Sequence, residues 1–170
     1  MKSTDPVVAR FKERFGSEIL SVEEFRGQVA VSVKSGRIVE MLRALRGDAE
    51  CPFDVLTDLT AVDYLRLDHP ERFAVVYQLY SLLRNERLRV KAYVSEARCE
   101  IESASALWGD ANWLEREVWD LYGIRFLGHP DLRRILMPDN YEGHPLRKDY
   151  PLKGRGERSN FAKYTVEEGS

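Results

Sequence analysis

One stretch carries most of the information about the fold of this chain, EREVWDLYGIRFLGHPDLRRILMP at residues 115–138. At its start, apolar residues recur with the spacing of one helix face: Leu114, Val118, Leu121 and Tyr122. Gly123 then supplies a natural C-terminal stop. Beyond it the period is lost and glycine and proline recur. The stretch therefore predicts a helix that leads directly into an irregular tail.

The charges of the stretch change sign at the same point. Glu115, Glu117 and Asp120 lie within two helical turns, with Arg116 as the only nearby cation. Basic pairs follow after the glycine, and they are Arg133-Arg134 and Arg147-Lys148. An acidic helix is followed at once by a basic tail. This order indicates that the tail contacts either the helix or another acidic protein surface.

The residues before this stretch alternate between helical and strand periodicity. The patterns predict the following elements: a helix at 7–15, a strand at 19–25, a strand at 29–33, a helix at 38–45 between Ser35 and Gly47 as caps, an ambiguous strand at 53–62, a strand at 73–83, a strand at 88–94, and two short helices at 103–108 and 111–122. At least two strand pairs are joined by hairpins. We therefore expect an α+β fold with a mixed, largely antiparallel sheet and helices packed on it, followed by an extended irregular C-terminal tail.

The pattern divides the chain into an α+β body at 1–123 and a basic, Pro/Gly-rich tail at 124–170. The tail has no sustained helical or strand period, yet it contains many apolar side chains, which is atypical of a free disordered arm. It needs a surface to lie on. Either the body or a partner must supply that surface.

Composition excludes several function classes. The net charge of −2 and the pI near 6.0 argue against nucleic acid as a partner. No apolar run has the length of a membrane span, and the N-terminus lacks the apolar core of a signal peptide. We expect a cytosolic protein, or one held at a membrane only through partners.

Metal and cofactor chemistry finds little support in the sequence. Cys51 and Cys99 have neither CxxC spacing nor a histidine at ligand spacing, so we expect two buried, reduced thiols. His129 and His144 each stand in a Gly-His-Pro tripeptide without a third ligand nearby, which favours hydrogen-bonding corners over a metal site. No glycine-rich phosphate loop is present. The sequence predicts no metal and no cofactor in this chain.

The acidic residues of the predicted helix could instead act in acid–base catalysis. Glu117 and Asp120 are predicted to share a helix face and could form a catalytic pair. The competing interpretation is an acidic surface turn, or buried acids satisfied by arginines of the tail. Structural ion pairs of that kind commonly resemble catalytic sites, and we favour them here.

The same residues resemble a family signature. The run from Glu115 to Leu136, with Asp120, His129 and Arg133 at its fixed positions, resembles the signature of the 30-kDa subunit family. Its members are the C subunits of the proton-pumping NADH:quinone oxidoreductase, respiratory complex I. The continuation MPDNYEGHPLRKDYPL at 137–152 also resembles the family's tail. The specific resemblance covers residues 115–152.

The resemblance implies a non-catalytic member of the peripheral arm, on the cytoplasmic side of the bacterial inner membrane. Such a chain carries no cofactor, since FMN and the iron–sulfur clusters belong to its partners. It packs against the large, hydrogenase-derived D subunit, which helps to form the quinone cavity, and near the cluster-bearing B and I subunits. The tail extends over the quinone-site partner, and the isolated chain is expected to be inactive. The implied structural and interface residues are Glu115, Arg116, Glu117, Asp120, His129, Arg133, Arg134, His144, Arg147 and Lys148.

Two other functions stay open at this point. The homologous subunit of a membrane-bound hydrogenase, or of a ferredoxin- or F420H2-driven dehydrogenase, shares the signature. A free-standing hydrolase would use Glu117 with His129 or His144.

Overall fold

The computed structural model describes residues 4–156 of the 170-residue chain. Its helices and strands are α1 (Thr4–Phe15), β1 (Ile19–Phe25), β2 (Gln28–Lys34), α2 (Ile38–Arg46), β3 (Val55–Asp63), β4 (Phe73–Ser81), β5 (Glu86–Val94), β6 (Glu100–Glu102), α3 (Ala111–Tyr122) and β7 (Arg125–Leu127). Short 3-10 turns precede β1 and α2. The predicted end of the tail, 157–170, lies outside the described residues.

Strands β1 to β5 form one sheet in the order β1-β2-β5-β4-β3. The pairs β1–β2, β3–β4 and β4–β5 are antiparallel, and β2–β5 is parallel. The prediction of a mixed, largely antiparallel sheet is confirmed. Strand β4 lies between two neighbours and is apolar on both faces, which is typical of an interior strand.

The core lies between one face of this sheet and the helices. The strand residues that face it are in register, as Tyr77 of β4 opposite Val90 of β5 shows. Phe11 of α1, Leu42 of α2 and Val118 of α3 pack against this face, because each helix has an apolar stripe of helical spacing. All three helices therefore cover the same face of the sheet.

Several predicted elements need correction. Residues 103–108 form turns and not a helix, while β6 and β7 form a short parallel pair that no periodicity predicted. The ambiguous stretch is a strand from Val55 onward. Ser35 opens a 3-10 turn and makes no capping bond to α2, whereas Gly47 does end α2, its N–H donating to the Arg43 carbonyl at 3.0 Å. Both thiols are free, but Cys99 is only half-buried.

The first residues after α3 belong to the core of the body. Ile124 and Phe126 are buried in it, and β7 pairs with β6. From residue 128 to residue 156 the described chain contains neither helix nor strand. We call residues 128–156 the C-terminal segment. Its described course is irregular, as predicted.

Candidate functional site: the junction of helix α3 and the C-terminal segment

The C-terminal segment lies against α3 through the same charged residues that the sequence singled out. We call this contact the junction; its members are Glu115, Arg116 and Asp120 of α3 with His129, Arg134, His144 and Arg147 of the segment. An irregular backbone has no regular pattern of backbone–backbone hydrogen bonds. Side chains must therefore form hydrogen bonds with its N–H and C=O groups. In the junction, the side chains of α3 and of the segment's own arginines take that role.

Asp120 binds three consecutive backbone N–H groups of the segment. Its side chain is fully buried, and its Oδ2 accepts three consecutive backbone N–H groups, from Ile135 at 3.1 Å and from Leu136 and Met137 at 2.8 Å each. Oδ1 accepts from Nη1 of Arg134 at 2.6 Å. Burial alone would raise the pKa of Asp120, but these hydrogen bonds outweigh it and hold the pKa below its ordinary value. Asp120 is therefore a charged anchor for the backbone of residues 135–137.

Arg134 extends this anchor to a second part of the segment. Besides Asp120, its guanidinium donates to the carbonyls of Tyr141 at 2.6 Å and Gly143 at 3.2 Å. It also lies over the rings of Trp119 and Tyr141, with Cζ within 6 Å of each centroid (5.8 and 5.7 Å). One guanidinium thus connects α3 to two turns of the segment.

Arg116 reaches the segment from the N-terminal half of α3. It is 6% exposed, and it donates to the carbonyls of Arg133 at 3.1 Å and Arg134 at 3.0 Å. Its guanidinium lies 4.9 Å from the centroid of the Trp113 ring. Like Arg134, it stabilises the segment by donating to backbone oxygen atoms.

Glu115 turns the other way, into the body. It is fully buried, and its carboxyl accepts from the Ser103 hydroxyl and the Ala104 N–H, both at 2.6 Å. Burial raises the pKa of Glu115 to about 7. His129 Nε2 lies 4.0 Å from this carboxyl.

The partners of His129 identify its tautomer. The Asp131 N–H donates to Nδ1 at 3.0 Å, so Nδ1 carries no proton. Nε2–H then donates to the Asn112 carbonyl at 3.0 Å. Through these two backbone hydrogen bonds, the imidazole joins the start of α3 to residues 129–131.

His144 and Arg147 close the junction at the end of α3. His144 Nδ1 donates to the Asp120 carbonyl at 2.9 Å, and burial lowers its pKa. Arg147 donates to the Tyr122 carbonyl. Both side chains pack on Gly123, where a Cβ would lie 2.5 Å from His144 Cδ2 and the φ of +75° already favours glycine. Gly123 therefore ends α3 and also provides the space in which the side chains of His144 and Arg147 pack against the helix end.

Sequence reasoning missed a second attachment of the segment, at the end of β3. The Lys148 N–H donates to the Asp63 carboxylate at 2.8 Å, and Arg72 bridges Asp63 (3.0 Å) and Asp149 (2.8 Å). Burial opposes the charge of Asp63, but the bonds from Arg72 and from Lys148 lower its pKa below the ordinary value. The only signal in the sequence was an acidic residue at the end of a strand pattern.

Three of the predicted site residues are not brought into the junction by their side chains. Glu117 is exposed whereas Asp120 is fully buried, so the two carboxylates do not form a pair. The Arg133 side chain is 68% exposed and pairs with Asp131 at 2.9 Å. Lys148 is exposed and contributes its backbone N–H. The geometry does not favour a Glu117–histidine hydrolase, because His129 and His144 both donate to backbone carbonyls.

Apolar side chains remain on the outside of the junction. Trp113 of α3 is 60% exposed, Leu136 is 61% exposed and Leu146 is half exposed. They are attached to backbone that the junction fixes, since Leu136 N–H binds Asp120 and Leu146 N–H donates to the Leu121 carbonyl at 3.0 Å. We call these three residues the junction patch.

Among residues 4–156, no group of three or more His, Cys, Asp or Glu side chains is arranged to hold a metal ion. Within the same part of the chain, no helix has the length and apolar character that a membrane span requires.

Comparison with known proteins gives a consistent match. A family model described as respiratory-chain NADH dehydrogenase, 30 Kd subunit, matches residues 31–156. The C subunit of NADH-quinone oxidoreductase from Geobacter metallireducens is 53% identical over 156 residues, which cover 92% of this chain and 94% of the relative. The same subunit of Roseiflexus castenholzii is 46% identical over 146 residues, with coverage of 86% and 83%.

Two solved structures resemble this one. The trypsin-resistant fragment (1-134) of Nqo5 is 36% identical, with a TM-score of 0.67 and coverage of 75% of this chain and 98% of the fragment. A chain of an archaeal membrane-bound sulfane sulfur reductase has a TM-score of 0.75 and coverage of 98% and 97%, but only 19% identity. The second likeness concerns the fold alone.

Proposed function

This chain belongs to the family of the 30-kDa subunit of respiratory-chain NADH dehydrogenase, and from that premise we propose that its work in the complex is assembly and not chemistry. The chain is a subunit of NADH-quinone oxidoreductase, a multi-subunit respiratory complex. Its proposed role is to hold a neighbouring subunit through the junction patch and the outer surface of the C-terminal segment. The proposed neighbour is the quinone-site D subunit, with the B and I subunits nearby.

One observation carries this proposal: the polar groups of the junction are satisfied within the chain, while its apolar groups face outward. Asp120 and Arg134 together bind five backbone groups of the segment. An irregular segment fixed in this way presents Trp113, Leu136 and Leu146 in set positions. Since the cost of ordering is met before association, such a surface binds more tightly than a free arm with the same side chains.

The junction residues are accordingly proposed as structural and interface residues. Arg116, Asp120 and Arg134 fix the segment, and Glu115 fixes α3 to the body. The exposed Glu117, Arg133 and Lys148 are available to a partner. A catalytic carboxylate needs access to a substrate, whereas Glu115 and Asp120 are fully buried and hydrogen-bonded.

Redox chemistry is assigned to other subunits in this proposal. FMN, the iron–sulfur clusters and the quinone would be held by partners, and the isolated chain would not oxidise NADH. The protein would lie on the cytoplasmic side of the bacterial inner membrane, attached only through those partners.

The sister complexes are the less favoured alternative. Relatives named as the C subunit of NADH-quinone oxidoreductase reach 44–54% identity over most of this chain, while the sulfane sulfur reductase chain reaches 19%. The specific similarity therefore lies with the NADH-driven complex.

The test is co-purification of the tagged chain from gently solubilised native membranes. We expect the wild-type chain to bring down flavin- and cluster-bearing subunits with NADH:quinone reductase activity. Leu136→Glu places a charge in the junction patch and should lower the recovery of those subunits at least ~10-fold, equivalent to about 1.4 kcal/mol.

The matched control is Leu20→Glu, because Leu20 is an exposed leucine on β1, the sheet edge farthest from β3 and α3. Its recovery should equal that of the wild type. A wild-type chain that elutes alone, or equal recovery with Leu136→Glu, would contradict the proposal.

A further inference from the structure

A second surface with interface character lies at the end of the sheet opposite the attachment of the C-terminal segment. The segment binds at Asp63 and Arg72, where β3 ends and β4 begins. Strand β4 then runs nine residues, roughly 30 Å, to the turn that joins it to β5. We call that turn and the adjoining sheet surface the hairpin end; it comprises Leu82, Leu83, Arg84, Arg87 and Arg89.

The tip of the hairpin exposes two adjacent leucines on an ordered turn. Leu82 and Leu83 are each 66% exposed. The turn beneath them is fixed by the Tyr80 hydroxyl, which donates to Asn85 Oδ1 at 2.7 Å. Arg84 Nε also donates to the Glu50 carbonyl at 2.8 Å. The leucines are therefore held in water by a hydrogen-bonded turn, as an apolar anchor is before it meets a partner.

Beside the tip, the helix-free face of the sheet carries a shallow groove of about 250 Å³. Two of the seven residues that line it are arginines, Arg87 and Arg89, and none is an aspartate or a glutamate. The Arg89 guanidinium is oriented by amide oxygens, of Gln78 at 3.2 Å and of Gln28 at 3.4 Å. Arg87 lies over the ring of Tyr80 at 5.9 Å.

The charge of these two arginines is not neutralised within the described chain. Neutral amide oxygens orient a guanidinium without cancelling its charge, and no carboxylate contacts Arg87 or Arg89 among residues 4–156. Asp58, opposite Gln78 on β3, and Glu86, at the start of β5, are near in register but do not line the groove. Oriented guanidinium groups bind carboxylates in paired hydrogen bonds, which favours an acidic occupant.

We propose that the hairpin end is a second docking surface, which binds a segment of a neighbouring subunit that places a carboxylate in the arginine groove and an apolar side chain on Leu82 and Leu83. This proposal rests on the proposed function for the presence of neighbouring subunits. It concerns a separate surface, at the other end of the sheet from the Asp63–Arg72 attachment. The chain would thus connect two neighbours, or two parts of one neighbour, across the length of its sheet.

The test is photo-crosslinking in the assembled complex, with benzoylphenylalanine at position 83 and at position 20 as the exposed control on β1. We expect position 83 to crosslink to one other subunit, at a peptide that contains Asp or Glu. Position 20 should give at least ~10-fold less product. Crosslinking at 83 no greater than at 20, or product only with lipid or with a second copy of this chain, would overturn the proposal.

Charge reversal tests the role of the arginines. Arg87→Glu with Arg89→Glu should lower the crosslink yield from position 83 by ~10-fold or more, and Asp or Glu→Lys at the identified peptide should restore it. Far-UV circular dichroism and the melting temperature establish that the double variant is folded, and Arg87→Gln with Arg89→Gln gives a milder second pair. An unchanged yield in a folded double variant would overturn the acidic occupant.

A probe at position 136, in the junction patch, separates the two proposals. If position 136 forms crosslinks and position 83 forms none, only the proposal for the hairpin end is rejected. A chain that does not co-purify with any other subunit rejects the proposed function itself.

Discussion

The body and the C-terminal segment of this protein are ordered by different forces. The body buries apolar side chains between a five-stranded sheet and three helices, and its backbone is satisfied by ladders. The segment buries little, and a few charged side chains satisfy its backbone instead. Order in the body is therefore spread over many contacts. Order in the segment is concentrated in a few charged side chains, chiefly Arg116, Asp120 and Arg134, with Asp63 and Arg72 at the second attachment. The comparison predicts that the two can be disrupted separately.

A core truncation should have the largest effect and should affect both regions. Phe53 is fully buried in the core, so Phe53→Ala removes its transfer free energy and leaves a cavity. We expect the free energy of unfolding to fall by about 3–5 kcal/mol. Urea denaturation followed by circular dichroism measures this loss. Phe25→Ala, at a residue that is 71% exposed, is the control and should change stability by less than about 0.5 kcal/mol; equal losses would mean that the core is misplaced.

Asp120→Asn should release the segment and spare the body. The variant leaves Arg134, whose side chain is only 13% exposed, without its charged partner, which costs about 2–4 kcal/mol. Because that loss falls on the attachment of residues 128–156, tryptic cleavage within the segment should accelerate at least ~10-fold. The urea midpoint of the sheet should change much less. Asp131→Asn removes an exposed carboxylate of the segment and should leave the cleavage rate unchanged; an equal acceleration in both variants would contradict the junction.

Glu115 makes the stability of the body sensitive to pH. Burial raises the pKa of Glu115 to about 7, above the ordinary value of 4.5. The native state therefore binds the extra proton between about pH 4.5 and 7, and the stability that this proton provides is lost as the pH rises through 7. His144 acts in the opposite direction, because its lowered pKa means that the unfolded chain binds more protons below about pH 6.5.

The variant Glu115→Gln isolates this effect from that of His144. From pH 5 to pH 8 it should gain about 1–3 kcal/mol relative to the wild type, because glutamine does not ionise. Its Oε1 can still accept from the Ala104 N–H, while its Nε2 donates to the Ser103 hydroxyl. Urea denaturation at both pH values measures the difference. The control is Glu117→Gln at the exposed neighbour, and its stability should depend on pH as that of the wild type does. If Glu115→Gln also showed the wild-type pH dependence, the Glu115 carboxyl would not be desolvated.

Gly123→Ala should give the smallest effect, at the corner where the two regions meet. A left-handed alanine costs about 1–2 kcal/mol, and its Cβ would displace His144. The expected result is faster tryptic cleavage near residue 144 with a slightly lowered melting temperature. Gly128→Ala has a similar positive φ of +78° and no atom within 4 Å of the added Cβ. It should lower the melting temperature without exposing residue 144, and identical proteolysis of both variants would show that the His144 contact is not formed.

The sequence predicted the parts of this molecule whose order comes from periodic burial. Elements with their own local pattern could be predicted from the sequence. They are helices α1 and α2, the β1–β2 and β4–β5 hairpins, and the glycine at the end of α3. The pair β6–β7 could not be predicted, since three-residue strands are too short to show a period. The supposed helix at 103–108 contains apolar residues at turn positions, where Ala104 and Ser103 instead bind Glu115.

The junction was predictable in its residues but not in its geometry. Charge and spacing singled out Asp120, Arg134 and His144, yet the periodicity of α3 did not show that Asp120 is buried while Glu117 is exposed. The burial of a charge depends on a partner distant in the chain, here the backbone of residues 135–137. The Asp63–Arg72 attachment was missed for the same reason.

Hydrogen exchange of single backbone amides in the isolated chain tests the central claim most directly. The amides of Ile135, Leu136 and Met137 donate to Asp120, and if the segment is ordered before assembly they should exchange at least ~100-fold more slowly than an unstructured peptide. In Asp120→Asn this protection should disappear while the amides of β4 keep theirs. Exchange of these three amides at the unstructured rate in the wild-type chain would contradict the claim, and would mean that a partner orders the segment.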